Sequence, residues 1–471
     1  MTALDRIEAI LGPQGFARGA DMDRWTRDWT GSYPSAPLAV ARPATTAEVS
    51  QVMAIAHDNA IPVVPAAGLT GLNGGTQANG ALVLSVDRLN RIRDIRAEGR
   101  VAIVEAGVIL SSLHAAVEEH GLIFPLTFGA RGSCMIGGVL STNAGGSNVL
   151  RYGNTRDLVM GIEVVLADGR VMNLMSQLHK DNSGLALRHL FIGAEGTLGI
   201  ITAAVLKLKP KPRAYATAML AVPRVADALT LLNRLQDATG GAVEAFEYMP
   251  RSYIDGYLRH IPGARPPFDQ SYDVNIMVEL GVTAPRDAIP GPDGTLPIVA
   301  TLESLLEEML GEGTLLDAVI ATSEAQRREM WHRREVAGQF SYKVRPLVDT
   351  DVALPLDRVA DFLDRVLPSI RELDPGAREL AVGHLGDGNM HYTAFPSRDD
   401  PALNEAIRER IEDIVADLGG SFSAEHGIGQ SKLGTMRRRK DPVALATMRA
   451  LKAALDPRGI LNPGKVIPPP D

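Results

Sequence analysis

The chain of 471 residues contains a single cysteine, Cys134. That excludes an intrachain disulfide framework and points to a reducing compartment. An excess of basic charge is also missing, since 48 Lys and Arg face 56 Asp and Glu for a net charge of −8. The one basic run, Arg437-Arg438-Arg439-Lys440, reads as a solvated helix face and gives no support for nucleic-acid binding. No apolar stretch reaches the ~20 residues of a membrane-spanning helix. The opening Met1-Thr2-Ala3-Leu4-Asp5-Arg6 has no apolar leader core. A cytoplasmic protein, peripheral at a membrane at most, is the expectation. Length alone suggests two or three domains.

What is plentiful is glycine, 46 residues gathered mainly into three segments. The first follows an apolar strand at 61–64 and runs Pro65-Ala66-Ala67-Gly68-Leu69-Thr70-Gly71-Leu72-Asn73-Gly74-Gly75. It suits a loop whose N–H groups hold a phosphate, although it has neither the Gly-Lys-Ser/Thr of a Walker loop nor Gly-x-Gly-x-x-Gly. The second spans 129–146 and mixes glycines with Ser133, Ser141, Thr142 and Asn143. A buried loop of this kind leaves backbone groups unpaired unless a large polar cofactor lies against it. The third is Gly193-Ala194-Glu195-Gly196-Thr197-Leu198-Gly199 before a strand that runs to about 208.

A second kind of signal is the stretch Gly383-His384-Leu385-Gly386-Asp387-Gly388-Asn389-Met390-His391. Asp387-Gly388 is a strong signal for a two-residue hairpin turn. Centred there, the ladder pairs residue 384 with residue 391 and sets His384 and His391 opposite each other, with Cβ atoms roughly 4.5–5.5 Å apart. A straight strand would put them on opposite faces. Glu425, in Ser423-Ala424-Glu425-His426-Gly427-Ile428-Gly429, is the best third ligand. Three N/O ligands with an open position make a catalytic divalent-metal site, and zinc suits such a set.

Lys209-Pro210-Lys211-Pro212 marks a change of rhythm. The expectation is an α+β protein with three parts: a cofactor domain at 1–212, a second domain with an antiparallel sheet at 213–424, and a C-terminal segment at 425–471. In the first, Thr45 and Glu48 form a capping box before a helix at 47–58. In the second, a helix over 324–340 carries Arg327, Arg328, Arg333 and Arg334.

These segments, together with Leu461-Asn462-Pro463-Gly464-Lys465, follow one another in an order that resembles the FAD-linked 2-hydroxy-acid dehydrogenases of the vanillyl-alcohol-oxidase flavoprotein superfamily. Pro125-Leu126-Thr127-Phe128-Gly129-Ala130-Arg131-Gly132-Ser133-Cys134 and Lys180-Asp181-Asn182-Ser183-Gly184 are most similar to D-2-hydroxyglutarate dehydrogenases. D-lactate dehydrogenases and the glycolate oxidase flavin subunit are relatives. The resemblance implies a two-part FAD-binding domain of the p-cresol-methylhydroxylase type, a substrate domain, and a C-terminal helical segment returning to the flavin. Pro65, Ala67, Gly68, Leu69, Thr70, Gly71, Gly74 and Gly75 would hold the FAD pyrophosphate. Pro125, Gly132, Ser133, Ile136, Gly137, Gly138, Thr142, Asn143 and Gly145 would line the ribityl chain and isoalloxazine. Glu195, Gly196, Gly199 and Ile200 would lie along the adenine side, and Asn462 would return to the flavin. With no histidine or cysteine in 65–75, and with Cys134 read as packing, FAD is expected to be non-covalent.

By the same resemblance a 2-hydroxy acid would chelate the metal, and His426, next to Glu425, would take the hydroxyl proton. Reduced FAD would pass electrons to an electron-transfer flavoprotein or a quinone, and a homodimer is a candidate assembly. Arg334, three residues after Trp331, matches the family's substrate arginine and suits bidentate carboxylate binding, while Lys432 joins the substrate set. Three positions depart from the hydroxyglutarate pattern: Asp349 stands where those enzymes have lysine, and Thr393 where they have asparagine. Gly338 replaces a threonine. Unless Lys343 or Arg345 moves in, a distal carboxylate would be repelled by Asp349, so a smaller or hydroxylated 2-hydroxy acid is easier to place. The alternatives are a metal-independent sugar or alcohol oxidase of the same fold and a non-catalytic flavin subunit. The intact set His384, His391, Glu425 and His426 argues against the second.

Overall fold

The computed structural model describes residues 1–338 and 344–470. Its largest element is an antiparallel sheet of seven strands. In spatial order these are Asp317–Ile320, Ala214–Val222, Val274–Val282, Val243–Pro250, Arg378–His384, Asn389–Phe395 and Val348–Ala353. Successive residues of a strand point to opposite faces, and the sequence uses this consistently. Leu220, Ile276, Phe246, Ala381, Tyr392 and Val352 face a core closed by helices Val225–Thr239, Pro297–Gly311, Val359–Arg371 and Pro401–Asp417. Met219, Met277, Met249 and Val382 face the other way. They pack with Tyr253, Tyr257 and Met330 of helices Arg251–His260 and Glu324–Glu335. The last helix is shorter than the expected 324–340, of which residues 339 and 340 lie outside the described residues.

The hairpin differs from the expectation. His384 pairs with Asn389 and Val382 with His391, so 385–388 form a wider connection than a two-residue turn. A type I′ turn needs positive φ at both central residues, and only Gly388, at +81°, has it. The Gly386 N–H is drawn to the Phe246 carbonyl of the neighbouring strand at 3.1 Å, and the Asp387 N–H closes back on the His384 carbonyl at 3.2 Å. The change in register is even, so both histidines keep the same face. They are diagonal neighbours rather than opposite ones.

This sheet and its helices form one compact unit, Gly146–Tyr152 with Lys211–Ala424. The other unit comprises Met1–Gly145, Gly153–Pro210 and Glu425–Asp471. It holds two main sheets. Ala39–Ala41, Leu82–Ser85 and Val63–Ala66 are parallel, with Phe16–Ala17 antiparallel at one edge. Parallel neighbours need a crossover, supplied by helix Thr46–Asp58, which Thr45 caps by accepting the Glu48 N–H at 3.1 Å. Five antiparallel strands make the second sheet: Ile92–Arg96, Val101–Glu105, Ile200–Lys207, Val159–Val165 and Val171–Leu174. The C-terminal segment returns to the parallel sheet. The Val63 N–H donates to the Ile460 carbonyl at 2.7 Å, and the Asn462 N–H to the Val63 carbonyl at 2.8 Å.

Among the described residues no helix is long and apolar enough to cross a membrane. Cys134 is buried, and burial pushes its thiol up to about 12. Iodoacetamide at pH 8 is therefore expected to leave the folded protein unlabelled and to modify one thiol after denaturation, read by mass spectrometry. Gly388→Ala would require the left-handed conformation of a residue with a side chain, and its Cβ would strike the Leu354 carbonyl. Strain of this kind costs about 1–3 kcal/mol, so a chemical-denaturation midpoint clearly below that of the parent is expected.

Candidate active site

The methionine-rich face of the seven-stranded sheet also carries a row of polar side chains. Glu247 lies opposite His384, Val382 opposite His391, His391 opposite Asp351, and Thr393 opposite Asp349. The two imidazoles meet edge to face with centroids 5.4 Å apart. His384 Nδ1 contacts both oxygens of Glu247 at 2.8 and 2.9 Å. An ionised carboxylate only accepts, so Nδ1 carries the hydrogen and Nε2 is the basic nitrogen of the ring. His391 Nδ1 lies 3.5 Å from Asp351 Oδ1. Asp351 is buried and accepts the Asn389 amide at 2.9 Å and the Ala424 N–H at 3.2 Å. Ala424 immediately precedes Glu425, so the Asp351 carboxylate anchors the chain at the residue before that glutamate.

Helix Glu324–Glu335 brings three side chains down onto this face at positions 327, 331 and 334, a spacing that keeps them on one side of a helix. Arg327 grips Glu279 with Nε and Nη2, both at 2.7 Å, and Trp331 Nε1 donates to the same carboxylate at 2.8 Å. Arg334 Nε donates to Glu247 at 2.7 Å. Its Nη2 is buried with no hydrogen-bond partner among the described residues. Burial pushes the Glu247 carboxyl up, but the adjoining His384 and Arg334 outweigh it and hold the group down to about 2. Asp349 accepts the Thr393 hydroxyl at 2.8 Å. Arg345 is exposed, and Lys343 lies outside the described residues.

In the other unit the three glycine-rich segments converge, and glycine is required where they touch. A Cβ on Gly68 would strike the Ser133 carbonyl. One on Gly138 would stand 3.2 Å from Ala67, and one on Gly196, whose φ is +73°, would stand 2.7 Å from Pro65. Gly71 and Gly132 face open space. Leu69 and Glu195 take positive φ, at 57° and 49°. The segment expected to be a loop at 132–146 contains a helix, Ile136–Thr142. Gly137 permits it, because a Cβ there would sit 2.8 Å from Ala106. The Ser141 and Thr142 hydroxyls donate to Gly137 and Gly138 carbonyls of that helix, which leaves their lone pairs as acceptors. Asn143 ends the helix at φ +51° and accepts the Arg156 N–H at 2.8 Å. Pro125 and Gly145 are buried, while Gly74 is buried beside half-buried Thr70 and Gly75. Gly199 packs against Val164, and Ile200 places its side chain in the core.

Asn462 donates to the Gly75 and Glu195 carbonyls at 3.1 and 2.8 Å, and its Oδ1 is buried with no partner among the described residues. An orphaned buried acceptor beside glycine-lined backbone fits a polar cofactor. Glu195 does something the sequence reading did not assign. Its carboxylate accepts the Ile428 and Gly429 N–H groups at 2.7 and 2.9 Å, fixing the loop just beyond His426. Burial raises its pKa. Asn73 donates to the His426 and Gly427 carbonyls at 2.9 and 2.7 Å. His426 Nε2 lies 3.7 Å from Glu425 Oε1. Lys432 is half-buried at the start of helix Leu433–Arg439.

Sequence reasoning also missed Glu247, Asp351 and Asn389. The signals were present: Glu247 interrupts the apolar strand Val243–Pro250, and Asp351 is two residues from Asp349, hence on the same strand face.

Residues 37–175 match the family model described as FAD binding domain, and 211–466 the model described as FAD linked oxidases, C-terminal domain. The chain is 35% identical over 453 residues to a D-2-hydroxyglutarate dehydrogenase of Xanthomonas citri pv. viticola, covering 95% of this chain and 93% of that one. It is 36% identical over 443 residues to a mitochondrial D-2-hydroxyglutarate dehydrogenase of Bos taurus, covering 94% and 79%. Among solved structures, p-cresol methylhydroxylase with substrate bound superposes with a TM-score of 0.73 at 18% identity, covering 99% of this chain and 96% of that one. Alkyldihydroxyacetonephosphate synthase gives 0.72 at 17% identity, covering 98% and 84%. These two likenesses concern the fold, an α+β architecture with a p-cresol-methylhydroxylase-type FAD-binding part. By domain matches and near full-length identity, the chain belongs to the FAD-linked oxidases and, within them, to the D-2-hydroxyglutarate dehydrogenase family of FAD-dependent oxidoreductases acting on CH–OH donors.

Proposed function

We propose that the protein oxidises a D-2-hydroxy acid to the 2-oxo acid with non-covalent FAD and a divalent cation. The observation that carries the metal part is the pair His384 and His391 on one sheet face, with His384 Nδ1 occupied by Glu247. Support for flavin comes from the glycine-lined segments and the orphaned Asn462 Oδ1. The buried Cys134 thiol and the lack of histidine and cysteine in 65–75 support a dissociable cofactor. When bound, the flavin supplies a hydride acceptor and the cation a Lewis acid that polarises the substrate hydroxyl. His384, His391 and Glu425 are the ligands in this reading, and Asp351 steadies His391. Two imidazoles and a carboxylate suit zinc.

In this reading the chain's own groups do the rest. Arg334 binds the substrate carboxylate with the guanidinium edge that Glu247 does not use. His426, its carbonyl held by Asn73, accepts the hydroxyl proton at an imidazole nitrogen. Lys432 adds positive charge near the acid. Asp349 with Thr393 marks the distal end and disfavours a second carboxylate. Two like charges 4 Å apart at an effective dielectric of ~20 cost about 4 kcal/mol. The curated relatives carry D-2-hydroxyglutarate in their names; here a smaller or hydroxylated D-2-hydroxy acid is the better fit. Electrons leave to an electron-transfer flavoprotein or a quinone, from a cytoplasmic homodimer.

Anaerobic bleaching of the visible flavin band tests this. Another D-2-hydroxy acid, such as D-lactate or D-malate, should bleach the metal-loaded protein faster than D-2-hydroxyglutarate. The reverse order would show that Asp349 does not set the distal pocket, and silence toward every 2-hydroxy acid would favour a sugar or alcohol oxidase. Asp349→Lys is expected to raise kcat/KM for D-2-hydroxyglutarate by at least about tenfold, ~1.4 kcal/mol. Dialysis against a chelator should abolish bleaching while the flavin spectrum persists, and zinc or manganese should restore it. Full activity in metal-free protein would remove the metal from the mechanism.

A further inference from the structure

We propose that Glu247 is a positioning residue that couples the two halves of the substrate domain's site, holding Arg334 and His384 with one carboxylate. The inference rests on the roles given to those two residues above and adds a link between them. Glu247 is fully buried in the centre of the sheet. The ladder sets it directly across from His384, so the contact follows from strand register and not from a chance rotamer. One oxygen, Oε2, touches both partners, at 2.9 Å from His384 Nδ1 and 2.7 Å from Arg334 Nε. Oε1 completes the grip on the imidazole at 2.8 Å.

Two consequences follow from hydrogen-bond chemistry. The carboxylate fixes the Nδ1–H tautomer and the ring plane of His384, which directs Nε2 outward. It also pins the guanidinium by one edge, which fixes where the unused Nη2 lies. Because the same oxygen serves both, a shift of Arg334 toward a bound carboxylate alters the hold on His384. Coupling between sites is reciprocal in binding free energy. Removing Arg334, which is not among the proposed metal ligands, is therefore expected to change the grip on a cation at His384. Glutamine at 247 cannot replace the carboxylate: its oxygen can stand in for Oε2, but its NH2 then meets the His384 Nδ1–H donor to donor at the place of Oε1, and the negative charge is gone.

The test uses the full-length, flavin-loaded protein and equilibrium dialysis against zinc or manganese. Glu247→Gln is expected to weaken metal retention by about 10–100-fold, the usual effect of losing an outer-shell partner. Arg334→Gln is expected to change it by about fivefold or more, and Glu247→Asp to fall between parent and Glu247→Gln. The flavin absorbance should be unchanged. In bleaching assays Glu247→Gln should raise KM for the 2-hydroxy acid as well. Metal retention equal to parent in both Glu247→Gln and Arg334→Gln, with retention lost in a His384→Ala control, would overturn the coupling and leave the metal site standing. Equal retention in parent and His384→Ala would instead overturn the metal reading, and with it the His384 arm of the coupling. If Glu247→Gln does not fold, Arg334→Gln decides.

Discussion

Taking a carboxylate out of water costs several kcal/mol unless charges and hydrogen bonds replace its hydration. Glu247 meets that condition only because strand register delivers His384 and helix Glu324–Glu335 delivers Arg334. The same condition holds one strand away, where Glu279 is satisfied by Thr217, Arg327 and Trp331. The two buried acids therefore dock the helix at two points along its length. Its hydrophobic contact with the sheet is modest, through Met330 and the half-buried Trp331. Polar docking fixes the helix in register, which a greasy interface alone does less well. The arginine that ends the helix is placed as firmly as a residue on a strand.

The rest of the sheet follows from a division of labour between its faces. One face is aliphatic and aromatic and is closed by helices. The other mixes methionines with Glu247, His384, His391, Asp351, Thr393 and Asp349. A period-two pattern makes such a division possible without loops. Building the row on strands gives each group a neighbour that restricts its motion.

Much of this could be read in advance, and the failures have physical causes. His384 and His391 were legible as a pair because parity, not turn length, decides which face a strand residue takes. The turn itself was misjudged, because the Phe246 carbonyl competes for the Gly386 N–H, and nothing local reports a partner 140 residues away. The glycine segments were legible because close backbone approach demands glycine whatever the fold. The short helix inside the second segment was not, since Gly137 serves packing against Ala106 and Gly138 against Ala67, and both would lower helix propensity in isolation. Glu247 and Asp351 were missed for one reason: an acid in a strand gains meaning only from what stands across the ladder. Glu195 was assigned to the cofactor by resemblance, while its visible partners are the N–H groups of Ile428 and Gly429.

The return of the C-terminal segment to Val63 bears on how the protein is made. The chain passes between the two units at 145–146, 152–153, 210–211 and 424–425, so the unit with the glycine segments is not a contiguous piece. Its parallel sheet gains the Ile460 and Asn462 hydrogen bonds only after almost the entire chain has left the ribosome. At a synthesis rate of roughly 5–20 residues per second, tens of seconds separate the emergence of Val63 from that of its last partner. During that interval Val63 lacks these two backbone partners. The sheet-and-helix unit at 211–424 has most of its residues together and can fold first. The chain order thus favours folding from the middle outward, with the flavin-binding unit completed last.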